Sequence, residues 1–383
     1  MMTFRLCFPK INISGAGCLA EVPAELSRRG FKTPLVVTDA VLIKVGLVQP
    51  LVDGLKALGL HPVVFDGVEP NPTVAIVDRA FDMFRAGKCD SIIAVGGGSP
   101  IDTGKAVRIL SANPKPITLY NGVGKVAREG VYLIAVNTTA GTAAEVTSNA
   151  VITDTDNQVK MVIIDPKIIP DISVNDPVMM TKIPAATTAA TGMDALTHAV
   201  EAYVAQGAHV LTDHSALEAI LLISTYLPRA VANGSDLEAR EMMAYGQFIA
   251  GLAFNSAGLG MVHAMAHQPG AVKNLPHGVC NAILLPVVEN FNRPHAVKRF
   301  ARIAMAMGVD TAGMTDEAAS IAAITAIRAL SATVGIPKGF GELGVTEADL
   351  PVFVKKAQQD PCAPGNPVSM TDAEVLELFR EAL

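Results

Sequence analysis

The chain is predicted to begin with an α/β domain built on a parallel sheet and to end with an all-helical domain. In its first half, short apolar or β-branched runs of strand length alternate with amphipathic stretches of helical spacing. The strand-like runs are 35–38, 62–65, 91–95 and 132–136, and the clearest helical stretches are 47–60 and 74–86. Strand–helix–strand alternation of this kind is typical of a parallel sheet covered by helices on both faces.

The composition of the chain changes near residue 180. A further strand is expected at 159–164, followed by a proline-rich stretch at 166–184 and then by long Ala-, Leu- and Met-rich segments without strand-like alternation. The length of 383 residues is enough for two domains, each with its own hydrophobic core. We therefore expect an α/β domain at 1–180 and an all-helical domain at 181–383.

Composition, charge and cysteine spacing narrow the range of functions that the chain can have. Half of the residues are hydrophobic and 17% are charged, which argues against a disordered chain. The net charge of −6 does not favour nucleic acids or anionic membranes as partners. The first residues lack the pattern of a signal peptide, and the apolar window 248–267 is expected to be a buried core helix because polar residues interrupt it. Five scattered cysteines without a CxxC pair indicate the reducing cytoplasm.

A glycine-rich loop follows the strand expected at 91–95. Residues 96–102 read Gly-Gly-Gly-Ser-Pro-Ile-Asp and lead into a helical pattern. Consecutive glycines let backbone N–H groups approach a phosphate, and the N-terminus of the following helix adds a favourable dipole. The loop is not a GxGxxG motif, because Ile101 stands in place of the third glycine, and its spacing does not fit a P-loop. The residues alone leave two interpretations open, a phosphate or dinucleotide site and a tight strand-to-helix turn.

Polar residues also stand at the ends of two other expected strands. Residues 137–142 read Asn-Thr-Thr-Ala-Gly-Thr, and small hydroxyls at the carboxyl end of a strand suit ligand binding, although capping is their commoner role. Asp39 ends the first strand, where a carboxylate could accept a ribose 2′-hydroxyl and repel the 2′-phosphate of NADP. Taken alone, an aspartate at the position of Asp39 is more often a turn residue than a ribose ligand.

Four of the eight histidines fall in two short apolar segments. Asp194 and His198 are four residues apart, so their side chains share one face of a predicted helix. His263 and His267 repeat this spacing, and His277 follows on the loop beyond. Because an unpaired buried histidine or aspartate costs free energy, a shared metal explains the set better than separate core histidines. Local spacing nominates His263 and His267 as the ligand pair but does not decide which of the three later histidines is not a ligand.

Two further observations concern this predicted metal site. Glu201 lies three residues after His198 and is interpreted as a solvated surface charge rather than as a partner of the site. No cysteine is among the candidate ligands, and nitrogen and oxygen ligands suit Fe(II) or Zn(II).

Taken in order, these segments resemble the iron-containing (group III) alcohol dehydrogenases, including their lactaldehyde reductase-like members. The likeness extends over essentially the whole chain, and its ordered set of short motifs is specific. The motifs are 69–73 (Glu-Pro-Asn-Pro-Thr), 96–103, 138–142 with 145–147, 190–203, 263–267 and 277–281. One departure is Asn137, where many members have proline.

The resemblance implies that Asp194, His198, His263 and His277 hold the metal, which overrules the local choice of His267. It implies that His267 lies beside the nicotinamide and the substrate, where it is a candidate proton relay, and that Phe254 lines the substrate side of the cleft. The implied NAD contacts are Asp39, Asn71, Gly97, Gly98, Ser99, Asp102, Thr138, Thr139, Thr142 and Lys160.

The function implied by the resemblance is metal-dependent hydride transfer between NAD(H) and a small primary alcohol or diol, or its aldehyde. Fe(II) is the expected metal and Zn(II) is compatible; a homodimer or larger homo-oligomer is expected, with no nucleic-acid or membrane partner. The alternatives are a dehydroquinate synthase-like lyase, a hydroxyacid-oxoacid transhydrogenase and a non-catalytic metal or nucleotide sensor. A synthase acting on a phosphorylated acid would need several Lys and Arg residues, which the ligand segments lack.

Overall fold

The computed structural model describes residues 3–157 and 159–383. These residues form two compact units. The α/β unit comprises Cys7–Thr139 and Ala143–Met180, and the helical unit comprises Thr181–Leu383 together with Ala140–Thr142 and residues 3–6.

The α/β unit contains two sheets. Its strands are β1 (Ile11–Ser14), β2 (Pro34–Asp39), β3 (Val63–Val68), β4 (Ser91–Gly96), β5 (Gly122–Val123), β6 (Tyr132–Asn137), β7 (Asn149–Asp154), β8 (Val159–Ile164) and β9 (Ile172–Asn175). The larger sheet has the order β1-β9-β6-β4-β2-β3, and all of its neighbouring strands are parallel. In the smaller sheet, β8 lies between β5, to which it is parallel, and β7, to which it is antiparallel. The predicted parallel sheet is confirmed.

Helices cover the larger sheet on both faces. They are α1 (Val22–Arg28), α2 (Ala40–Lys44), α3 (Gln49–Ala57), α4 (Val74–Ala86) and α5 (Gly98–Ala112). Side chains alternate between the faces of a strand, so Leu35 and Val37 join the core under α4 and α5, whereas Val36 joins the core under α1 and α3. Because both faces of the central strands are buried, their sequences are continuous apolar runs rather than alternating ones.

Sequence patterns did not reveal four of the strands: β1, β5, β7 and β9. The strand β9 is the most instructive, because it lies inside the proline-rich stretch 166–184 and yet every one of its four residues is buried between β1 and β6. A four-residue run flanked by Pro170 and Pro177 carries little periodicity of its own. Its pairing is decided by contacts with strands distant in sequence.

The helical unit confirms the helical character predicted for the second half. Its helices are α6 (Ala185–Val204), α7 (Val210–Ala232), α8 (Leu237–Ala257), α9 (Met261–Lys273), α10 (His277–Asn292), α11 (Val297–Ala306), α12 (Asp316–Thr333), α13 (Leu350–Ala357) and α14 (Asp372–Glu381). The expected single core helix at 248–267 is wrong, because α8 and α9 meet there at an angle of 106°. The segment Gly258-Leu259-Gly260 separates them.

One described helix, α7, is long and apolar enough to cross a membrane by length and composition alone. Its pattern is that of an amphipathic bundle helix: Ala216, Ile220, Ile223 and Leu227 are buried at helical spacing. Core helices of other proteins pass the same test, so α7 is weak evidence for a membrane span.

Candidate metal centre and nucleotide loop

The N-terminus of α10 lies directly against the middle of α6. α10 begins at His277, immediately after Pro276, and a Cβ atom at Gly278 would collide with the backbone carbonyl of Ala190 on α6. Glycine at 278 therefore permits this close approach of the two helices. The approach brings His277 to the face of α6 that carries Asp194.

Three predicted ligands converge. The ligand atoms of Asp194, His263 and His277 all lie within 4.8 Å of one another. Asp194 Oδ1 is 3.5 Å from His277 Nε2 and 3.9 Å from His263 Nε2, so neither pair forms a hydrogen bond. Such separations suit atoms that share a single cation, each at about 2.0–2.2 Å from it. The nitrogen and carboxylate donors, with Asp194 and His263 buried, fit a divalent metal ion.

His198 lies beside this group but outside the 4.8 Å set. Its ring stacks between His263, at a centroid distance of 4.5 Å, and Phe254, at 4.3 Å. Burial lowers the pKa of His198 to about 3, against the opposing effect of the Asp194 carboxylate. The imidazole is therefore neutral near pH 7, which is the form that binds metals.

Asn281 is a residue of this site that the sequence reasoning missed. Its Nδ2 atom donates a hydrogen bond of 2.5 Å to Asp194 Oδ1 and lies 3.1 Å from the Nε2 atoms of both His263 and His277. Asn281 is fully buried and follows His277 by four residues, so the spacing rule that paired Asp194 with His198 could have found it.

The interpretation of Glu201 as a solvated surface charge is wrong. Glu201 is 1% exposed, and its carboxylate pairs with His263 Nδ1 and accepts a hydrogen bond of 2.8 Å from the backbone N–H of Val262. Burial raises the pKa of Glu201 to about 8, although these backbone hydrogen bonds oppose the shift. A carboxylate on Nδ1 fixes the histidine tautomer and leaves Nε2 free to bind a metal. The helical spacing from Asp194 to Glu201, seven residues, was the available signal.

His267 faces a different partner. Its Nδ1 atom is 2.8 Å from Asp360 Oδ2, and its ring stacks on that of His277 at a centroid distance of 5.3 Å. Asp360 is held in turn by the backbone N–H of Cys362, which donates to Oδ1 at 2.9 Å. Asp360 lies 93 residues after His267, and no local spacing could have paired the two.

In the α/β unit, the glycine-rich loop joins β4 to α5 as expected. α5 begins at Gly98 with Gly97 as its N-cap, so no N-cap side chain satisfies the first backbone N–H groups of the helix. A Cβ atom at Gly104 would lie 2.7 Å from the Cβ of Ala94 on β4. Gly104 thus gives the close helix–strand packing that the third glycine of a GxGxxG motif provides.

Two threonines that follow β6, Thr138 and Thr139, lie beside this loop. The backbone N–H of Thr138 donates to the carbonyl of Gly96 at 3.1 Å, and that of Thr139 donates to Asn137 Oδ1 at 3.1 Å. Asn137 also donates to Asn175 Oδ1 on β9. A proline at 137 could not make these side-chain bonds, so the departure from the family pattern has a structural use here.

The remaining predicted NAD contacts occupy different places. Asp39 ends β2 and caps α2 by accepting from the Leu42 backbone N–H at 2.9 Å, whereas Asn71 follows β3 with a positive φ of 55°. Asp102 accepts a 3.0 Å hydrogen bond from the Val151 N–H on β7, and Ser99 lies in the first turn of α5. Lys160 lies on β8 in the smaller sheet, and Thr142 belongs to the helical unit.

Comparison with known proteins agrees with this geometry. The iron-containing alcohol dehydrogenase model matches residues 9–177, and the model of the C-terminal part of the same family matches 188–383. The chain is 44% identical to the NAD-dependent methanol dehydrogenase of Bacillus methanolicus, over 98% of each chain, and 43% identical to the lactaldehyde reductase of Escherichia coli (strain K12), over the whole of both. A solved structure of a 1,3-propanediol oxidoreductase superposes with a TM-score of 0.98 at 44% identity and covers both chains fully. The chain therefore belongs to the iron-containing alcohol dehydrogenases.

Proposed function

We propose that this enzyme transfers a hydride between NAD(H) and a small primary alcohol or diol, or the corresponding aldehyde. The observation that carries the proposal is the convergence of Asp194, His263 and His277 in the helical unit. The relatives support the substrate class, because their names specify methanol, 1,3-propanediol and lactaldehyde.

Asp194, His198, His263 and His277 are the proposed metal ligands, with Fe(II) as the resident ion and Zn(II) as a compatible one. One carboxylate and three neutral imidazoles reduce the charge of a divalent ion to about +1 and suit either metal. When bound, the ion supplies Lewis-acid polarisation of a substrate oxygen, and NAD supplies the hydride acceptor.

Two buried side chains position these ligands. Glu201 accepts the Nδ1 proton of His263, which directs the lone pair of Nε2 toward the metal position. Asn281 donates to Asp194 Oδ1 and so holds that oxygen between the two imidazoles. Loss of either contact would therefore cost its ligand a fixed orientation.

His267 is the proposed proton relay. Asp360 accepts from Nδ1, which leaves Nε2 as the atom that can take or return a proton. Phe254, stacked on His198, is proposed to give the substrate side an apolar surface. Small alcohols have an apolar carbon next to the reacting hydroxyl, so an aromatic ring there suits them.

NAD is proposed to bind at the carboxyl ends of the parallel strands. The first N–H groups of α5, at Gly98 and Ser99, suit the pyrophosphate, since a helix N-terminus attracts anions. Asp39 stands at the end of β2, where a carboxylate favours a free ribose 2′-hydroxyl over a 2′-phosphate. The other proposed contacts are Asn71, Gly97, Asp102, Thr138, Thr139, Thr142 and Lys160.

The enzyme is further proposed to act in the cytoplasm as a homodimer or larger homo-oligomer. Its five cysteines, all within the described part of the chain, form no disulfide with one another, which fits a reducing compartment. β1 is an edge strand of the larger sheet, and Phe8, three residues before it in the same unit, is exposed. An exposed apolar residue shortly before an edge strand suits a surface that pairs with a second copy.

The test is metal reconstitution. The protein is purified without oxygen, stripped with a chelator and reloaded with Fe(II) or Zn(II), and NADH absorbance is followed with a series of short aldehydes. We expect NADH oxidation that requires the metal. Asp194→Asn should abolish both metal retention and turnover, whereas the surface control Asp82→Asn should change neither.

Two outcomes bear on the alternative functions, and a third bears on the ligand set. Tight binding of metal and NADH without any turnover of free NADH would favour a sensor. Turnover only when a hydroxyacid and an oxoacid are supplied together, with no net NADH change, would favour a transhydrogenase. Turnover that does not depend on metal would contradict the proposed ligand set.

A further inference from the structure

A second group of potential metal ligands lies in the helical unit, formed by His267, Asp360 and Cys362; we refer to it as the thiol cluster. One ligand atom from each residue lies within 4.8 Å of the other two. His267 is the only one of the three that the proposed mechanism uses as a reacting group. We propose that the thiol cluster binds a thiophilic divalent cation, such as Zn²⁺ or Cd²⁺, and that this cation inhibits the enzyme.

The spacing of the ligand atoms in the thiol cluster suits a cation that binds a small number of ligands. Atoms that share one tetrahedral cation lie roughly 3.3–3.8 Å apart, given metal–ligand distances of about 2.0–2.3 Å. His267 Nδ1 and Asp360 Oδ2 are now 2.8 Å apart, as befits a hydrogen bond, so they need to separate only slightly to accept an ion between them. The backbone N–H of Cys362 holds Asp360 Oδ1, which keeps the carboxylate beside the thiol while Oδ2 changes partner.

The donor set selects the ion. A thiolate, an imidazole and one carboxylate oxygen favour zinc and cadmium over magnesium or calcium, which prefer oxygen ligands. Burial and the nearby Asp360 carboxylate raise the pKa of the Cys362 thiol well above its usual range. The thiol is therefore protonated near pH 7, and the cation must displace that proton, which a thiophilic metal does and a hard metal does not.

Binding at the thiol cluster would disable His267. The cation takes the place of the proton that Nδ1 shares with Asp360, so the ring is tied to the thiol cluster and loses the hydrogen bond that orients Nε2. The ring can no longer exchange a proton with substrate, although the ligands Asp194 and His263 are untouched. This loss of turnover rests on the proposed role of His267, whereas cation binding itself does not.

Cadmium is the probe, because a cadmium–thiolate bond gives an ultraviolet charge-transfer band that does not depend on turnover. Enzyme already loaded at its first site is titrated with Cd²⁺ while the band, the retained Fe(II) or Zn(II), and NADH oxidation are measured. The variant is Cys362→Ser, which keeps the shape of the side chain but removes the thiolate. The matched control is Cys7→Ser, another partly exposed thiol that lies outside the thiol cluster.

We expect wild type and Cys7→Ser to develop the band and lose at least tenfold in turnover while keeping the first metal. Cys362→Ser should show no band and should remain active at the same Cd²⁺ concentration. An unchanged band in Cys362→Ser, or no band in wild type, would overturn the site. A band without inhibition would overturn the coupling to His267, and a band in a protein without dehydrogenase activity would leave the site standing while the proposed function fails.

Discussion

Two fully buried glutamates of the helical unit differ in what they touch. Glu201 pairs with His263 Nδ1, whereas Glu289 accepts a 3.1 Å hydrogen bond from Asn292 and does not contact a proposed ligand. Burial raises the pKa of Glu201 to about 8, and burial, followed by the charge of Glu201, raises the pKa of Glu289 to about 8 as well, so the two carboxyl groups differ in contact rather than in acidity. An amide at 289 can still accept the hydrogen bond from Asn292, whereas an amide at 201 is a weaker acceptor for the Nδ1 proton of His263 than a carboxylate is.

We therefore predict that Glu201→Gln weakens metal affinity by about 10- to 100-fold, as expected when the partner of a ligating histidine is lost. Glu289→Gln is the matched control and should change affinity by less than about threefold. Competition with a chelator of known affinity measures both. Equal losses in the two variants would show that buried charge, rather than contact with His263, controls the site.

The pair His267 and Asp360 leads to a prediction about turnover. His267→Ala should lower kcat by about 10²–10⁴-fold, the usual effect of losing a general acid–base group, and leave metal content unchanged. Asp360→Asn should lower kcat by a smaller factor with little change in KM, because it disturbs only the orientation of the ring. Steady-state kinetics with metal analysis of the same samples checks this. A metal loss that parallels the loss of kcat would count His267 among the ligands instead.

Asp102 gives a prediction about pH. Burial raises its pKa from 3.8 to about 6, against the charge of Lys105 and the hydrogen bond from Val151. Because the folded-state pKa is above the unfolded one, this group favours folding below pH 3.8, and that contribution is lost as the pH rises to about 6.

Asp102→Asn removes this dependence, since asparagine accepts the same hydrogen bond without ionising. The stability of wild type relative to Asp102→Asn should fall by about 1–3 kcal/mol between pH 4 and pH 6.5 and then stay constant. Urea unfolding of both chains at several pH values measures it. A difference that does not vary with pH would show that Asp102 ionises normally in the folded chain.

At the scale of elements, the contact between α5 and β4 depends on one glycine. A methyl group at Gly104 would meet the Cβ of Ala94 at 2.7 Å, and overpacking of this kind costs about 1–3 kcal/mol. Alanine also gains up to about 1 kcal/mol in helix propensity, so the steric cost should win.

Gly104→Ala is accordingly expected to destabilise the chain by about 1–2 kcal/mol. It should also weaken NADH binding, because the glycine-rich loop that we propose for the pyrophosphate leads into α5. The double variant Gly104→Ala with Ala94→Gly should recover part of both losses by restoring the space. Urea unfolding and NADH fluorescence titration are the measurements. A double variant as impaired as the sum of the singles would place the clash elsewhere.

Element prediction from sequence succeeded where burial left either a helical period or a continuous apolar run. The helix at Val74–Ala86 has the predicted bounds, and the buried strands β2, β4 and β6 match to within one residue at each end. It failed at β9 and at the junction of α8 and α9, where a short strand between prolines and a bend within an apolar window give no period to read.

At the scale of the whole molecule, the proposed self-association leads to a test. Phe8 is 59% exposed in the segment before the edge strand β1. A charge there should disfavour pairing with a second copy, because the ion would have to be buried.

We predict that Phe8→Glu lowers the molar mass in solution, while Val210→Glu, at a similarly exposed apolar residue of α7, leaves it unchanged. Light scattering after size-exclusion chromatography gives both masses. A wild-type monomer, or equal effects of the two variants, would contradict an interface at β1.

The sequence by itself determined the parallel sheet, the helical second half, the glycine-rich loop after β4, and the concentration of histidines in two apolar segments. These features are local, because hydrophobic period, turn chemistry and residue type are all written within a few residues of one another. The resemblance already grouped His277 with Asp194, and the tertiary structure supplies the reason, the close approach at Gly278. Only the tertiary structure decided that Glu201 meets His263 and that His267 meets Asp360. Such pairs are separated by tens of residues in the chain, and their meeting depends on how whole helices pack rather than on any pattern near either member.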